Sequence, residues 1–492
     1  MADRSDNPNI IEKAGDYNLN TIRILSYRKN EEEGTLYEMD IKQITVTIEL
    51  TEDIFTGFMQ GSIIVYDSQD VRSILPITGL EKLELSFNTP GMPGVHAVRE
   101  EGHPFHIYKI EGAQQDKTNP RAQYYQIFFC SKEMYYNSFN RISQAYAGPI
   151  EEGVEKILRA KDGLNSKKQF IVEPTKTNTK FVIPNLKPLN AINLMGADAK
   201  SGLYNNTGYV FYEDARGFHF RSIESMLALG GAVARPATFK YNYQITNTSK
   251  TDIDTDLSNI IRYEFLRPAN MLYNLNEGMI ASKLITHDSF YKTIEETDFD
   301  YLQSFGDYFH TEHIDGAKAT LKGTLPFVNF EDTNKDLSQQ YNAKLMTDSS
   351  TSKIHNDYEI VNPKEVLQPK LSQRLQMRNV NLSLQVYGNT LIHAGDVITF
   401  DMPMLRPLDE QSKSETNPYW SGRYLVMAVK HTISQVDERH EMSLKCMKDA
   451  VRTEFASETS NNEVTEREYN QKVLSIYEID KNYLNDDVLQ DD

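Results

Sequence analysis

The densest run of metal-ligating residue types is His310-Thr-Glu-His313-Ile-Asp315, preceded by Asp307. Histidines at i and i+3 share one face of a helix, which would bring two imidazole nitrogens together. A structural zinc site needs four nitrogen or sulfur ligands and a catalytic one three protein ligands. The only thiols, Cys130 and Cys446, lie far away in the chain. The stretch therefore reads as a polar loop without a metal. Paired acids are the next chemistry to consider, at Glu295-Glu296, Glu331-Asp332 and Asp486-Asp487. Glycoside or peptidoglycan cleavage needs two carboxyls about 5–10 Å apart. One of them must sit in an apolar frame that raises its pKa. None of the three pairs has such a frame, so they read as solvated acids. His431 follows an apolar strand and has no nucleophile paired with it; it reads as a half-buried histidine at a strand end. No Gly-x-Ser-x-Gly elbow, P-loop or Gly-x-Gly-x-x-Gly turn occurs, which removes the anchors of hydrolase, NTPase and dinucleotide readings. No catalytic residue, cofactor or metal is assigned, and the chain is not expected to be an enzyme.

The elements around these residues belong to a large soluble protein. At 492 residues the length suits about three domains. Apolar content of 39% and charged content of 25% fit a folded chain rather than a disordered one. A net charge of −18 argues against a phosphate-binding surface, which needs clustered Lys and Arg. No apolar run approaches the eighteen or so residues of a membrane span. The first residues lack the basic and apolar regions of a signal peptide, and both cysteines fall inside strand patterns. Buried free thiols and folding in a reducing cytoplasm are expected.

Strict alternation marks the strands. Val380, Leu382, Leu384 and Val386 alternate with Asn381, Ser383 and Gln385, and Ile48 and Leu50 alternate with Thr47 and Glu49. Gly61, Gly79, Gly388, Gly395, Asp396 and Gly422 are read as structural turn positions, because Gly and Asp suit the backbone of tight turns. Between the two β-rich ends the period changes. Pro149 and Pro188 open helices, and Asp214-Ala-Arg-Gly217 is read as the turn of a hairpin.

The two ends echo each other. Residues 105–110, a polar loop and 125–133 resemble 424–429, a polar loop and 441–449, with Cys130 matched to Cys446. Two copies of one barrel follow if the echo is a duplication. The fold class expected is α+β and mainly β: two homologous antiparallel β-barrel domains with an inserted α/β unit and an irregular insertion. The boundaries are an N-terminal arm (1–36), a first barrel (37–132) and an α/β domain (133–230). An insertion (231–378), a second barrel (379–450) and an acidic tail with a helix (451–492) complete the chain.

These motifs carry a family resemblance. Residues 386–400 (Val-Tyr-Gly-Asn-Thr-Leu-Ile-His-Ala-Gly-Asp-Val-Ile-Thr-Phe) and 421–431 resemble the C-terminal barrel of phage tail hub proteins. Residues 58–67, 76–85, 183–185, 187–189 and 209–220 fit the same pattern. Together they resemble the baseplate central hub protein of contractile-tailed bacteriophages over roughly residues 37–450. The insertion and the tail match least.

The resemblance implies a tube-type barrel in each half and a homotrimer whose six barrels form a pseudo-six-fold ring. It implies a structural protein of the virion, in the tail baseplate, assembled in the host cytoplasm. The tail tube protein would lie above, the central spike protein below and baseplate wedge proteins around it. DNA would pass through the channel without specific binding. Two alternatives stay open, a tail-associated lysin and the hub of a related contractile injection system.

Overall fold

Alternating apolar and polar side chains hold nearly half of the described residues in extended strands whose inner faces must be covered. The computed structural model describes residues 10–450 apart from 30–35, 76, 118, 177, 205, 231–232, 244–252, 268–270, 289–290, 313–341, 349–362, 379, 404–415 and 418. All of these belong to one unit, Met1–Thr453; the tail helix expected over 451–492 lies outside the described residues.

The first β-unit contains β1 (Asn18–Lys29), β2 (Leu36–Asp40), β3 (Thr45–Asp53) and β4 (Gln60–Asp67). It continues with β5 (Lys82–Asn88), β6 (Val95–Ala97), β7 (Phe105–Gln115) and β8 (Gln123–Cys130). The α/β unit holds β9 (Ile142–Pro149), β10 (Phe170–Val172), β11 (Asn178–Leu186), β12 (Tyr209–Asp214) and β13 (Gly217–Ser222). Helices Ile150–Arg159 and Pro188–Ala197 pack there around Val154, Ile157, Ile192 and Met195. Next come β14 (Ala228–Gly230), β15 (Val233–Ala234), β16 (Phe239–Asn242) and β17 (Ile260–Arg267). A separate sheet of β18 (Ala281–Asp288), β19 (Thr293–Asp300) and β20 (Asn342–Asp348) is covered by the helix Pro363–Met377. There Gln368 donates to the carbonyl of Ser282 at 2.9 Å. The second β-unit ends the described chain with β21 (Val380–Tyr387), β22 (Val397–Asp401), β23 (Gly422–Ser434) and β24 (Arg439–Lys448).

The two β-units share one strand order. In the first the ladder runs β3-β4-β8-β7-β5, and in the second β17-β21-β24-β23-β22; every neighbouring pair is antiparallel. Irregularities recur at matching places. Tyr108 is the extra residue in the β7–β8 ladder where Met427 is extra in β23–β24. Val46 is extra in β3–β4 where Ile261 is extra in β17–β21. Bulges bend and twist a strand at a set point, so shared bulges give the two units the same local path.

These bulges correct the sequence alignment by one residue. Phe129, not Cys130, corresponds to Cys446: Phe129 pairs with Ile107 and Cys446 with Val426, each just before its bulge. A slip of one residue exchanges the faces of a strand. Phe129 and Cys446 accordingly face the cores of their own units. Met447 faces a different cluster, and Cys130 lies outside the core that Phe129 fills. Both thiols are buried and free, and burial pushes that of Cys130 up to about 12.

The expected barrels are present as two units, each wrapped round its own core, but their ladders do not close. Among the described residues no ladder joins β5 to β3 or β22 to β17. Both units lie instead in one 14-stranded sheet. The arm expected over 1–36 contains β1, which pairs with β5 through seven residues and buries Leu19, Ile22, Ile24 and Leu25. Its interspersed Asn, Thr and Arg residues hid the alternation.

Gly61 lies inside β4 rather than in a turn. A Cβ there would meet the Glu49 carbonyl oxygen at 2.2 Å and the Phe129 ring at 2.5 Å. The second unit places Leu382 opposite Cys446, where the first has Gly61 opposite Phe129. Large and small have exchanged strands while the core stays filled. Gly61→Ala should therefore lower stability by about 1–3 kcal/mol through overpacking. Chemical denaturation checks this, and an unchanged midpoint would contradict the close approach.

Candidate assembly interface

The two units meet along β3 and β23. Seven register pairs join them, from Ala428↔Asp53 to Ser434↔Thr47. The ladder is extended by Ile54 N–H to the Met427 carbonyl at 3.0 Å and Gln435 N–H to the Val46 carbonyl at 2.9 Å. Ile48 and Ile433, directly opposite, enter the core of the first unit together. On the other face Lys430 reaches Glu49 at 2.7 Å.

One end of this seam is pinned by buried charge. Ile48, Leu50 and Glu52 share the inward face of β3, so the apolar row ends in a fully buried acid. Glu52 accepts from Ala215 N–H at 3.0 Å, from Ala394 N–H at 3.2 Å and from His393 Nδ1 at 3.3 Å. It thereby ties the first unit to the hairpin of the α/β unit and to the β21–β22 connection. Burial disfavours an imidazolium at His393, but the Glu52 carboxylate outweighs it and raises the pKa. Arg216 continues the network, contacting Asp214 at 2.6 Å and Asp396 at 3.1 Å. Burial opposes charge on Asp214 too, yet His219 at 3.0 Å and Arg216 hold its carboxyl below the usual range.

Glu52, Asp214 and His393 bring three ligand atoms within 4.8 Å of one another. Their oxygens are already held by amide donors, and the Arg216 guanidinium binds Asp214 directly, so a divalent cation would meet a resident positive charge. The trio is a polar pin rather than a metal centre. A second pin joins the first unit to the α/β unit. Lys168 lies 3.1 Å from Glu133 and 2.5 Å from Glu213, and Glu213 accepts from Met59 N–H at 3.0 Å.

The turn positions read from the sequence gather around the second unit. Gly395 has φ +89°, and Asp396 accepts from His393 N–H at 3.0 Å. Gly422 opens β23 with φ +126°, and a Cβ there would strike the Glu312 carboxylate. Gly388 follows β21, where a Cβ would enter the His440 ring. Gly79 has φ +95° and belongs to the corresponding turn of the first unit. That turn is capped by Glu81, whose carboxylate accepts from the amides of Thr78, Gly79 and Leu80 at 2.8–3.0 Å.

His310 does not offer a free ligand nitrogen. Its Nδ1 lies 2.7 Å from Asp449 Oδ2 and its Nε2 2.8 Å from the Phe305 carbonyl. Both partners accept, so both nitrogens must donate, and the ring is an imidazolium. Burial lowers its pKa, but Asp449 raises it further. His313 and Asp315 lie outside the described residues. A neighbouring cavity of about 350 Å³ includes Glu224, Tyr308, His310 and Arg374 in its wall. Asp449 also accepts from the Thr311 amide at 2.9 Å and the Thr311 hydroxyl at 2.7 Å, so the His310–Asp449 pair is held within a local hydrogen-bond network.

His431 is fully buried, 3.1 Å from His440, and not half-exposed at a strand end. Burial holds His431 at about 4 and His440 well below its ordinary value. The seam itself was not legible in the sequence. Its one signal is Glu52 standing in the inward register of an otherwise apolar row.

Two opposite pH effects follow. His393 and His310, raised in the fold, contribute stability that is complete below pH 6.5 and lost as pH rises through their folded values. His431 and His440, lowered in the fold, lose stability as pH falls below 6.5. For His431 the full loss approaches on the order of 3 kcal/mol at about pH 4. Glu52→Gln should reduce the alkaline fall in unfolding midpoint, and His431→Gln the acid fall. Identical pH profiles for variant and parent would contradict these assignments.

No protein-family model and no curated protein matches the chain. Among solved structures it is similar to the tail protein from Neisseria meningitidis MC58, at 10% identity and a TM-score of 0.48 over 88% of this chain and 97% of that one. It is similar to the 43 kDa tail protein of prophage MuSo2 from Shewanella oneidensis, at 9% identity and a TM-score of 0.46 over 88% and 99%. It is also similar to the prophage tail protein gp18 from Listeria monocytogenes EGD-e, at 11% identity and a TM-score of 0.42 over 92% and 99%. Over 88–92% of its length this chain is similar to a set of tail proteins, two of them from prophages.

Proposed function

We propose that the chain is a structural baseplate hub protein of a contractile tail. Three copies form a pseudo-six-fold ring that joins a six-fold tail tube to a three-fold central spike. The observation that carries this is the shared strand order of the two β-units within one chain. Three copies of such a chain present six similar units around one axis, so one face suits a six-fold partner and the other a three-fold one. The sequence resemblance over residues 37–450 points to the same role. The work asked of the protein is binding through surfaces, and no catalytic step is assigned to it. Its place is the tail baseplate of the virion, between tube and spike and within the wedge proteins, after assembly in the host cytoplasm.

DNA must pass such a ring without being held. Each phosphate–cation contact adds affinity, and the acidic excess of −18 per chain opposes it. Light scattering on the purified protein should give three times the chain mass of 56.5 kDa. Monomer at every concentration would contradict the ring. At low ionic strength, where phosphate contacts are strongest, duplex DNA should not be retained by the trimer. Salt-sensitive retention would contradict a passive channel.

A further inference from the structure

The seam inside the chain has a counterpart that the chain leaves unmade. Strand order and bulges equate β7 with β23, and β17 with β3. Beyond its bulge β23 has β24 on one side and β3 on the other. Beyond its own bulge β7 has β8 on one side and, among the described residues, no strand on the other. Likewise β3 lies between β4 and β23, whereas β17 has β21 on one side and no other strand partner among the described residues. Each copy therefore carries two unlike open edges that match the two halves of its own internal seam.

We propose that β7 of one copy pairs with β17 of a second copy, antiparallel, in the register that β23 adopts on β3. The ring reading above is needed only for closure at three copies. Unpaired edges are templates for further strands, and unlike edges make a head-to-tail contact that closes a ring or grows a filament. The surfaces fit this use. Tyr108 beside the open edge of β7 is 40% exposed, and Ile261 on β17 is 39% exposed. A groove of about 470 Å³ runs along β7, between residues 108–113 on one side and Arg72 and Ile77–Gly79 on the other. In the second unit the corresponding connection, through His393 and Ala394, grips Glu52 at the end of β3. The groove is where the end of an incoming β17 would lie.

The register follows from the ladders. Thr432 lies opposite Glu441, and Gln114 opposite Tyr124, which corresponds to Glu441 when Phe129 corresponds to Cys446. On the other side Glu49 lies opposite Ser62 and Glu264 opposite Ser383, which are equivalent positions of β4 and β21. The internal pair Thr432↔Glu49 thus becomes Gln114↔Glu264 between copies. An additional bulge at Gly112 and Ala113, absent from β23, precedes Gln114 without changing its partner on β8.

The test joins Gln114→Cys with Glu264→Cys in the full chain, whose two native thiols are buried. Mild oxidation should give covalent species ending at three chains, and neither single variant should give any. Trimeric native mass without cross-links would overturn the edge assignment and leave the ring standing. Cross-linked species beyond three chains would support the edge and overturn closure. Monomer without cross-links overturns the pairing itself. A milder readout uses the exposed Gln114 alone. Gln114→Glu, facing Glu264, should weaken association and Gln114→Lys should strengthen it, by about 2–5-fold in opposite directions. Equal effects of the two charges would count against the register.

Discussion

The β3–β23 seam is the contact on which the rest of the structure depends. It joins residues near position 50 to residues near position 430, so most of the chain is enclosed between its two sides. Loop closure over such a span costs conformational entropy that only a well-made contact offsets. Here backbone ladder, an inward Ile48–Ile433 pair and the Glu52 pin act together at one place. The pin also reaches the α/β unit through Ala215, so the orientation of three parts is set by one buried carboxylate. Removing its charge leaves inward amides facing an uncharged acceptor in a water-excluded site, where an unsatisfied group is costly.

Buried histidines divide into two kinds by the company they keep. His393 and His310 face carboxylates, whereas His431 and His440 face each other and aromatic rings, with Phe87 5.7 and 5.9 Å away. The same burial therefore accompanies opposite shifts, upward beside carboxylates and downward beside rings. His393 connects the loop after β21 to β3, His310 connects its loop to the end of β24, and His431 and His440 connect β23 to β24.

Sequence alternation located most β-strands of both β-units, because a half-buried strand writes its faces directly into the chain. It missed β1, where Asn, Thr and Arg dilute the apolar row, and it matched the cysteines one position out of register. Cys130 and Cys446 look equivalent by type and by the acid three residues after each, Glu133 and Asp449, but only the bulges at Tyr108 and Met427 reveal which residues face the cores. A bulge has no fixed residue signature, and Tyr and Met in a strand look ordinary. The glycines were legible as special, and at Gly395 so was the reason, a turn with positive φ; at Gly61 it was not, because that glycine is required by the Phe129 ring inside a strand. The seam was least legible, since each of its strands looks complete without the other.

The central claim is that one chain supplies two equivalent units which three chains arrange around an axis. Class averages of the purified protein viewed down that axis in the electron microscope test it most directly. The account predicts six lobes around an open centre with exact symmetry of three-fold order. A single two-lobed particle, or a ring whose lobes number other than six, would contradict it.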